Sequence, residues 1–338
     1  MNKKRLIFVF LLLVACLYFL FWHERSSKSY LLHQGVVFGT TYHITYESPD
    51  GTSLDSVILN ELQIFDNSLS MFNEHSVISA VNRNDTSVVL DTLFVRVFKK
   101  AREVSTATHG AFDMTVAPLV NVWGFGFKKN EAVTSQVIDS IMPFIGYTKI
   151  KLVGNQIEKA DSRMMLDASA IAKGYACDVL AQALVRQGVR NYIVEIGGEV
   201  ALNGKNAKGK AWRVGINKPI EDSTSLVSEI QDVVELTHGG MATSGNYRNF
   251  YVKNGKKYSH TINPQTGYPV QHSLLSATII APDCMTADAY ATACMVMGLD
   301  ESLKLCRERA DIEGYFIYAD HDSIKVVRSE GFPLPVSR

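Results

Sequence analysis

Ser276-Ala277-Thr278-Ile279-Ile280-Ala281-Pro282-Asp283-Cys284-Met285-Thr286-Ala287-Asp288-Ala289-Tyr290-Ala291-Thr292-Ala293-Cys294-Met295-Val296-Met297 holds two kinds of secondary structure in one stretch. Ser276 to Ile280 reads as a strand, whereas Met285 to Met297 is an apolar run better suited to a buried helix. Working outward, Val36 to Glu47 alternates and is rich in β-branched and aromatic residues, a strand interrupted at Gly39. Leu54 to Leu69 and Asp91 to Thr106 have helical spacing, and Asp167 to Gln187 reads as a longer helix. Tyr192 to Ile196 and Trp212 to Ile216 read as strands. Strands and helices mix without regular βαβ alternation, which predicts an α+β architecture with largely antiparallel sheet rather than a doubly wound nucleotide fold.

A chain of 338 residues with 46% hydrophobic content can bury a large core, as one domain or two closely packed subdomains. Its 34 basic residues balance 34 acidic ones. No global field favours nucleic acid, so nucleic acid is not an expected partner and any anionic ligand needs a local site. Cys16, Cys177, Cys284, Cys294 and Cys306 show no CxxC spacing, and the last four fall in apolar segments. Neither a zinc site nor a disulfide framework is expected.

Lys3, Lys4 and Arg5 precede an uncharged apolar run from Leu6 to Trp22, which His23, Glu24 and Arg25 end. This pattern is an export signal. Leu13-Val14-Ala15-Cys16 resembles a bacterial lipobox with Cys16 as the lipid-bearing residue, yet the run also approaches the ~20 residues of an uncleaved spanning helix. Either anchor leaves the rest of the chain on the periplasmic side of the inner membrane. Residues 1–25 are then signal or anchor, 26–33 a polar tether, and 34–338 the globular domain.

Four segments carry chemistry. Asp288 and Thr292 lie four apart, on one helical face, and offer two hard oxygens of the kind magnesium or calcium accepts. The alternative is a buried Asp paired with a lysine while Thr292 bonds back to its own helix. In Asp167-Ala168-Ser169-Ala170-Ile171-Ala172-Lys173, small residues permit close approach of a ligand. Lys173 could neutralise a phosphate and Asp167 could cap the helix or bond a ligand ring; an ordinary N-cap with a surface lysine is the plainer reading. His260, on a strand running into a Pro and Gly turn, has the pKa to take a proton from a hydroxyl, though most histidines beside turns are structural. Ile196-Gly197-Gly198-Glu199 and Ala242-Thr243-Ser244-Gly245-Asn246-Tyr247-Arg248 suit close backbone approach. Gly204 to Lys210 has the spacing of a phosphate-binding loop but lacks its Ser or Thr at Ala211 and its helix, so it reads as a solvated hairpin turn.

These segments, in this order, resemble the ApbE family of FAD:protein FMN transferases from Phe38 to Gly298. Gly39-Thr40-Thr41-Tyr42, Ser70-Met71-Phe72-Asn73-Glu74-His75-Ser76 with Ser79 and Asn82, Gly110 to Leu119, and Trp123-Gly124-Phe125-Gly126 add to the match. The resemblance implies an ApbE-like (T-fold-like) domain and Mg2+-dependent transfer of FMN from FAD to a Ser or Thr hydroxyl, with AMP released. Ca2+ is the alternative ion. By the same resemblance Asp288, Thr292 and the Ala170 carbonyl bind the metal, Phe72 packs on the flavin or adenine, and Phe38, Ala111, Phe112, Asp113, Asp167, Lys173 and the backbone at Ile262 contact FAD. His260 matches the general base. The implied acceptor is a flavoprotein of a membrane redox complex. The chain departs from the family at Val77, Phe38 and Phe72, where Glu, Met and Tyr are common. A FAD pyrophosphatase yielding FMN and AMP, and a non-catalytic flavin-binding lipoprotein, are the rival readings of the same pocket.

Overall fold

The computed structural model describes residues 29–126, 133–220, 229–246, 250–253, 256–321 and 323–337. The apolar run with Cys16, the first residues of the tether, and Tyr247 and Arg248 lie outside them. Strands β1 (Ser29–Val37) and β2 (Thr40–Ser48) precede helices α1 (Asp55–Leu69), α2 (Val77–Asn82), α3 (Thr92–Ala107), α4 (Ala117–Val122) and α5 (Ser135–Ile141). A small hairpin, β3 (Ile150–Val153) and β4 (Gln156–Lys159), leads to α6 (Ala172–Arg186). Then come β5 (Tyr192–Ile196), β6 (Glu199–Asn203), β7 (Trp212–Asn217), β8 (Ile230–Leu236), β9 (His238–Gly245), β10 (Phe250–Lys253), β11 (Lys256–Ser259) and β12 (Leu274–Ala281). Helices α7 (Cys284–Met297) and α8 (Leu299–Glu308) and strands β13 (Glu313–Asp320) and β14 (Ser323–Arg328) complete the order.

One sheet organises the fold, in the order β1-β2-β5-β6-β9-β12-β13-β14, with every neighbour antiparallel. This is the α+β, antiparallel architecture that the sequence pattern predicts. Alternation sends Tyr42, Ile44, Tyr46, Ala201, Ala277 and Ile279 toward a core shared with α1, α3, α6 and α7. Val200, Leu202, Met241, Tyr315 and Ile317 point the other way, under Trp212, Val214, Ile216, Val234 and Leu236 of the β7–β8 ribbon. A central strand such as β6 is therefore covered on both faces and reads as a continuous apolar run. Helix α7 is buried from Cys284 to Ala291 and from Ala293 to Val296, which is why its sequence carries no polar stripe. A third cluster, Leu119, Trp123, Ile138, Ile145 and Ile262, fastens α4 and α5 to the turn after β11.

Three expectations shift. Strand β1 starts at Ser29, so residues 29–33 pair with β2 instead of serving as tether; Leu31 packs on the core and the Tyr30 ring lies 6.2 Å from Trp212. Helix α6 begins at Ala172, five residues after Asp167, because Asp167 Oδ1 accepts from the backbone N–H of Ser169 at 2.7 Å and from its hydroxyl. That local turn competes with helix, and Asp167 does not cap α6. The Gly204 to Lys210 segment is no hairpin: β6 pairs with β5 and β9 while β7 pairs with β8, so it crosses between sheets. Asn206 braces that loop, accepting from Lys208 N (2.9 Å) and donating to Ala211 O (2.8 Å). Cys177, Cys284, Cys294 and Cys306 are free and buried. Among the described residues no helix is long and apolar enough to cross a membrane.

Candidate active site

Helices α6 and α7 touch through backbone. A Cβ on Gly174 would stand 2.3 Å from the Cys284 carbonyl oxygen, so only glycine permits the approach. Each helix then caps the other. Asp288 Oδ2 accepts from Gly174 N (2.9 Å) in the first turn of α6, and Asp178 accepts from Cys284 N (2.9 Å) and Met285 N (2.8 Å) at the start of α7. Asp283 accepts from Thr286 N (2.7 Å) there as well. Otherwise unsatisfied helix-terminal N–H groups are thereby bonded to carboxylates, which the helix dipole also favours. Burial pushes Asp178 up to about 7 against its two N–H donors. It also raises Asp288, which Lys173 and the Gly174 N–H pull back.

Lys173 donates to Glu199 Oε1. Glu199 follows the two-residue Gly197-Gly198 turn, whose φ values of 64° and 106° glycine accommodates, and it opens β6 facing α6. Glu199 is buried, and its Oε2 has no hydrogen-bond partner among the described residues. Burial lifts its carboxyl to about 7, with Lys173 lowering and Asp288 raising it. Burial alone would lower Lys173, but Glu199 and Asp288 outweigh it and hold the ammonium above its usual range. Sequence reasoning took this segment for its glycines and missed the glutamate. An acid beginning the apolar run Val200-Ala201-Leu202 was the signal.

Thr292 lies one turn beyond Asp288 on α7, with its Oγ1 3.2 Å from Ser244 Oγ on β9. Ala170, half-buried, sits just ahead of α6. Among the described residues no three His, Cys, Asp or Glu side chains form a metal cluster. The candidate set is instead one carboxylate, one hydroxyl and one carbonyl, hard oxygens that leave positions for water and phosphate as magnesium prefers. When both are ionised, as a nearby cation would keep them, Asp288 and Glu199 exceed Lys173 by one negative charge, and Glu199 carries an orphaned oxygen. Both features fit a cation.

His260 follows β11 and enters a turn closed by the Ile262 and Pro269 bridge and by Trp123 Nε1 donating to Gly267 O (2.8 Å). Its half-buried ring lies edge-on to Phe125, centroids 6.4 Å apart. Thr261 donates to Asn246 Oδ1 (2.7 Å), just past the end of β9 where Ser244 meets Thr292. The turn with His260 is thus tied to the strand that faces Thr292.

The expected FAD contacts divide. Phe38 adopts φ 51° and rests 5.4 Å from the Phe65 ring. Phe72 is 80% exposed. Ala111 and Phe112 are buried, and the Phe112 ring belongs to the main core, so that stretch can offer a ligand only backbone. Asp113 accepts from Thr115 N (2.8 Å), Thr115 Oγ1 (2.7 Å) and Tyr147 N (2.8 Å), and burial raises its carboxyl. Its observed role is to shape the loop. Asp167 is half-buried, joined to that loop by its N–H to Met114 O (2.6 Å), and held from behind by Asn82, which bonds both sides of Leu166. Ile262 is buried in the third cluster. The described cavity of about 1000 Å³, lined by Arg96, Lys99, Tyr175 and Asp178 among others, includes none of Lys173, His260, Asp288 or Thr292.

With that geometry in hand, the sequence pattern of the ApbE family matches residues 38–316. The FAD:protein FMN transferase of Haemophilus influenzae is 35% identical over 323 residues, 91% of this chain and 92% of that one. The flavin transferase ApbE of Vibrio cholerae superposes with a TM-score of 0.80 at 34% identity, covering 90% of this chain and 98% of that chain. The flavinyl transferase ApbE of Pseudomonas stutzeri, in its apo form, gives 0.80 at 29% identity, covering 90% and 96%.

Proposed function

The chain belongs to the ApbE family, and on that premise we propose that it is a FAD:protein FMN transferase, joining the FMN half of FAD to a Ser or Thr hydroxyl of another protein. The observation that carries the site assignment is the α6–α7 crossing, where Asp288 bonds the Gly174 N–H next to Lys173 at the start of one helix. A pyrophosphate needs positive charge, alignment and a base for its attacker. Lys173 supplies a fixed cation. His260 takes the hydroxyl proton, the hydroxyl oxygen bonds the phosphorus of the FMN half, and the bond to the departing AMP oxygen breaks. Asp288, Thr292 and the Ala170 carbonyl would hold a magnesium ion, whose charge offsets that of the phosphates. Phe72 supplies a face for a ring of FAD, while the Asp167 loop and the backbone at Ala111, Asp113 and Ile262 border it.

On the same reading the run from Leu6 to Trp22 anchors the enzyme, through Cys16 or as a helix, on the periplasmic side of the membrane. Its acceptor is then an exported flavoprotein segment of a membrane redox complex. The test is mass spectrometry of such an acceptor after incubation with the enzyme, FAD and Mg2+. A gain of one FMN with an equal yield of AMP is expected; AMP and free FMN with an unmodified acceptor would make the protein a pyrophosphatase.

A further inference from the structure

Glu199 is a charged group that the transfer step leaves unused. It is buried in β6, one oxygen bonded to Lys173 and the other without a partner among the described residues. If Lys173 needed only an acceptor to fix its position, an amide would serve and would bury no charge. A carboxylate here adds a second negative charge beside Asp288 in a site that is to receive an anion, an arrangement that opposes the substrate unless something positive arrives with it.

We propose that Glu199 is a positioning residue that sets the charge of the site: it holds the Lys173 ammonium at the α6–α7 crossing before FAD arrives, and with Asp288 it leaves the unneutralised negative charge that draws in the divalent cation. This rests on the transferase reading with Asp288 as a cation ligand. It makes FAD binding depend on metal, because the empty site carries the wrong net sign for a pyrophosphate.

The two binding steps should respond differently to Glu199→Gln. The amide keeps an acceptor for Lys173 and removes one charge. In the full-length chain in detergent, calorimetry with MgCl2 alone should show Mg2+ binding weakened by about tenfold or more, as expected for a unit charge lost near a divalent ion in a partly buried site. FAD binding in EDTA, followed by flavin fluorescence, should be equal to wild type or tighter. A merely structural role would weaken both together, and that result, or unchanged Mg2+ affinity, overturns the proposal. Asp288→Asn separates the two possible failures. Mg2+ binding lost there but intact in Glu199→Gln removes the role of Glu199 alone; binding intact in both removes the cation site on which it rests. Should Glu199→Gln fail to fold, Lys173→Met carries the test with signs reversed: Mg2+ tighter and FAD in EDTA weaker support the proposal, and any other pair of signs refutes it.

Discussion

Replacing Gly174 by alanine should destabilise the protein even though it improves helix propensity. Alanine in a helix interior is favoured over glycine by about 1 kcal/mol. Against that, the new Cβ would meet Cys284 O at 2.3 Å, Asp288 Cβ at 2.7 Å and Cys284 C at 2.8 Å. Backbone and the root of a side chain cannot swing away, so α6 and α7 must part by about 1 Å to reach ordinary contact at 3.4 Å. Overpacking of this kind costs about 1–3 kcal/mol. The same displacement stretches the 2.9 Å bond from Gly174 N to Asp288, and a bond to a charged group is worth about 1.5–3 kcal/mol. The sum is a loss of about 1.5–5 kcal/mol, read as a lower urea midpoint at unchanged slope. Mg2+ and FAD binding should fall with it, since Asp288 moves. Stability equal to or above wild type would show that the helices are not in backbone contact, and the site geometry built on that contact would fall with it.

Three further outcomes follow from single contacts. His260→Ala should lower kcat by about 10²–10⁴-fold while the FAD dissociation constant stays near wild type; single-turnover FMN transfer and equilibrium binding measured on one preparation check the split. Phe72→Ala should raise the KM for FAD by several-fold while thermal stability changes little, because that side chain is 80% exposed; an unchanged KM would argue against the assignment. Asp178 carries a carboxyl at about 7 in the folded chain, above its value of 3.8 when unfolded, so the folded state retains a proton that the unfolded state releases between those values. Its contribution therefore favours folding at the acid end and fades as pH rises toward 7. Asp178→Asn should flatten that part of the stability profile and lower stability by about 1–3 kcal/mol, because its amide keeps one acceptor oxygen for the two N–H donors of α7; an unaltered profile in urea titrations from pH 4 to 8 counts against it.

The elements that could be read from sequence are those whose cause is local. Met285 to Met297 is apolar along most of its length, as suits a helix buried at all but Thr292 and Met297, and Asp91 announces the start of α3 because its side chain accepts from Phe94 N, three residues on (2.8 Å). The start of α6 was misread because Asp167 has two local uses, cap and turn, and the turn to Ser169 wins. Strand β1 was read short for a different reason: Ser29 to His33 is polar at its start and becomes strand through its partner β2 and through Trp212, which is 182 residues from Tyr30.

The site divides along the same line. Asp288 and Thr292 share a helical face by spacing alone, so their kinship was legible. What surrounds them was not. Glu199 meets Lys173 across 26 residues, Asp288 meets Gly174 across 114, and Asp178 meets Cys284 across 106. No periodicity links such pairs. They arise because α6 and α7 pack closely at Gly174, against Cys284 and Asp288, and once packed, each presents its unbonded N–H groups or a nearby carboxylate to the other. The same contact that lets the helices cap each other fixes the backbone next to Lys173, which donates to Glu199. Fold stability and substrate charge balance are therefore coupled through one contact, which is why a methyl group at Gly174 should disturb both.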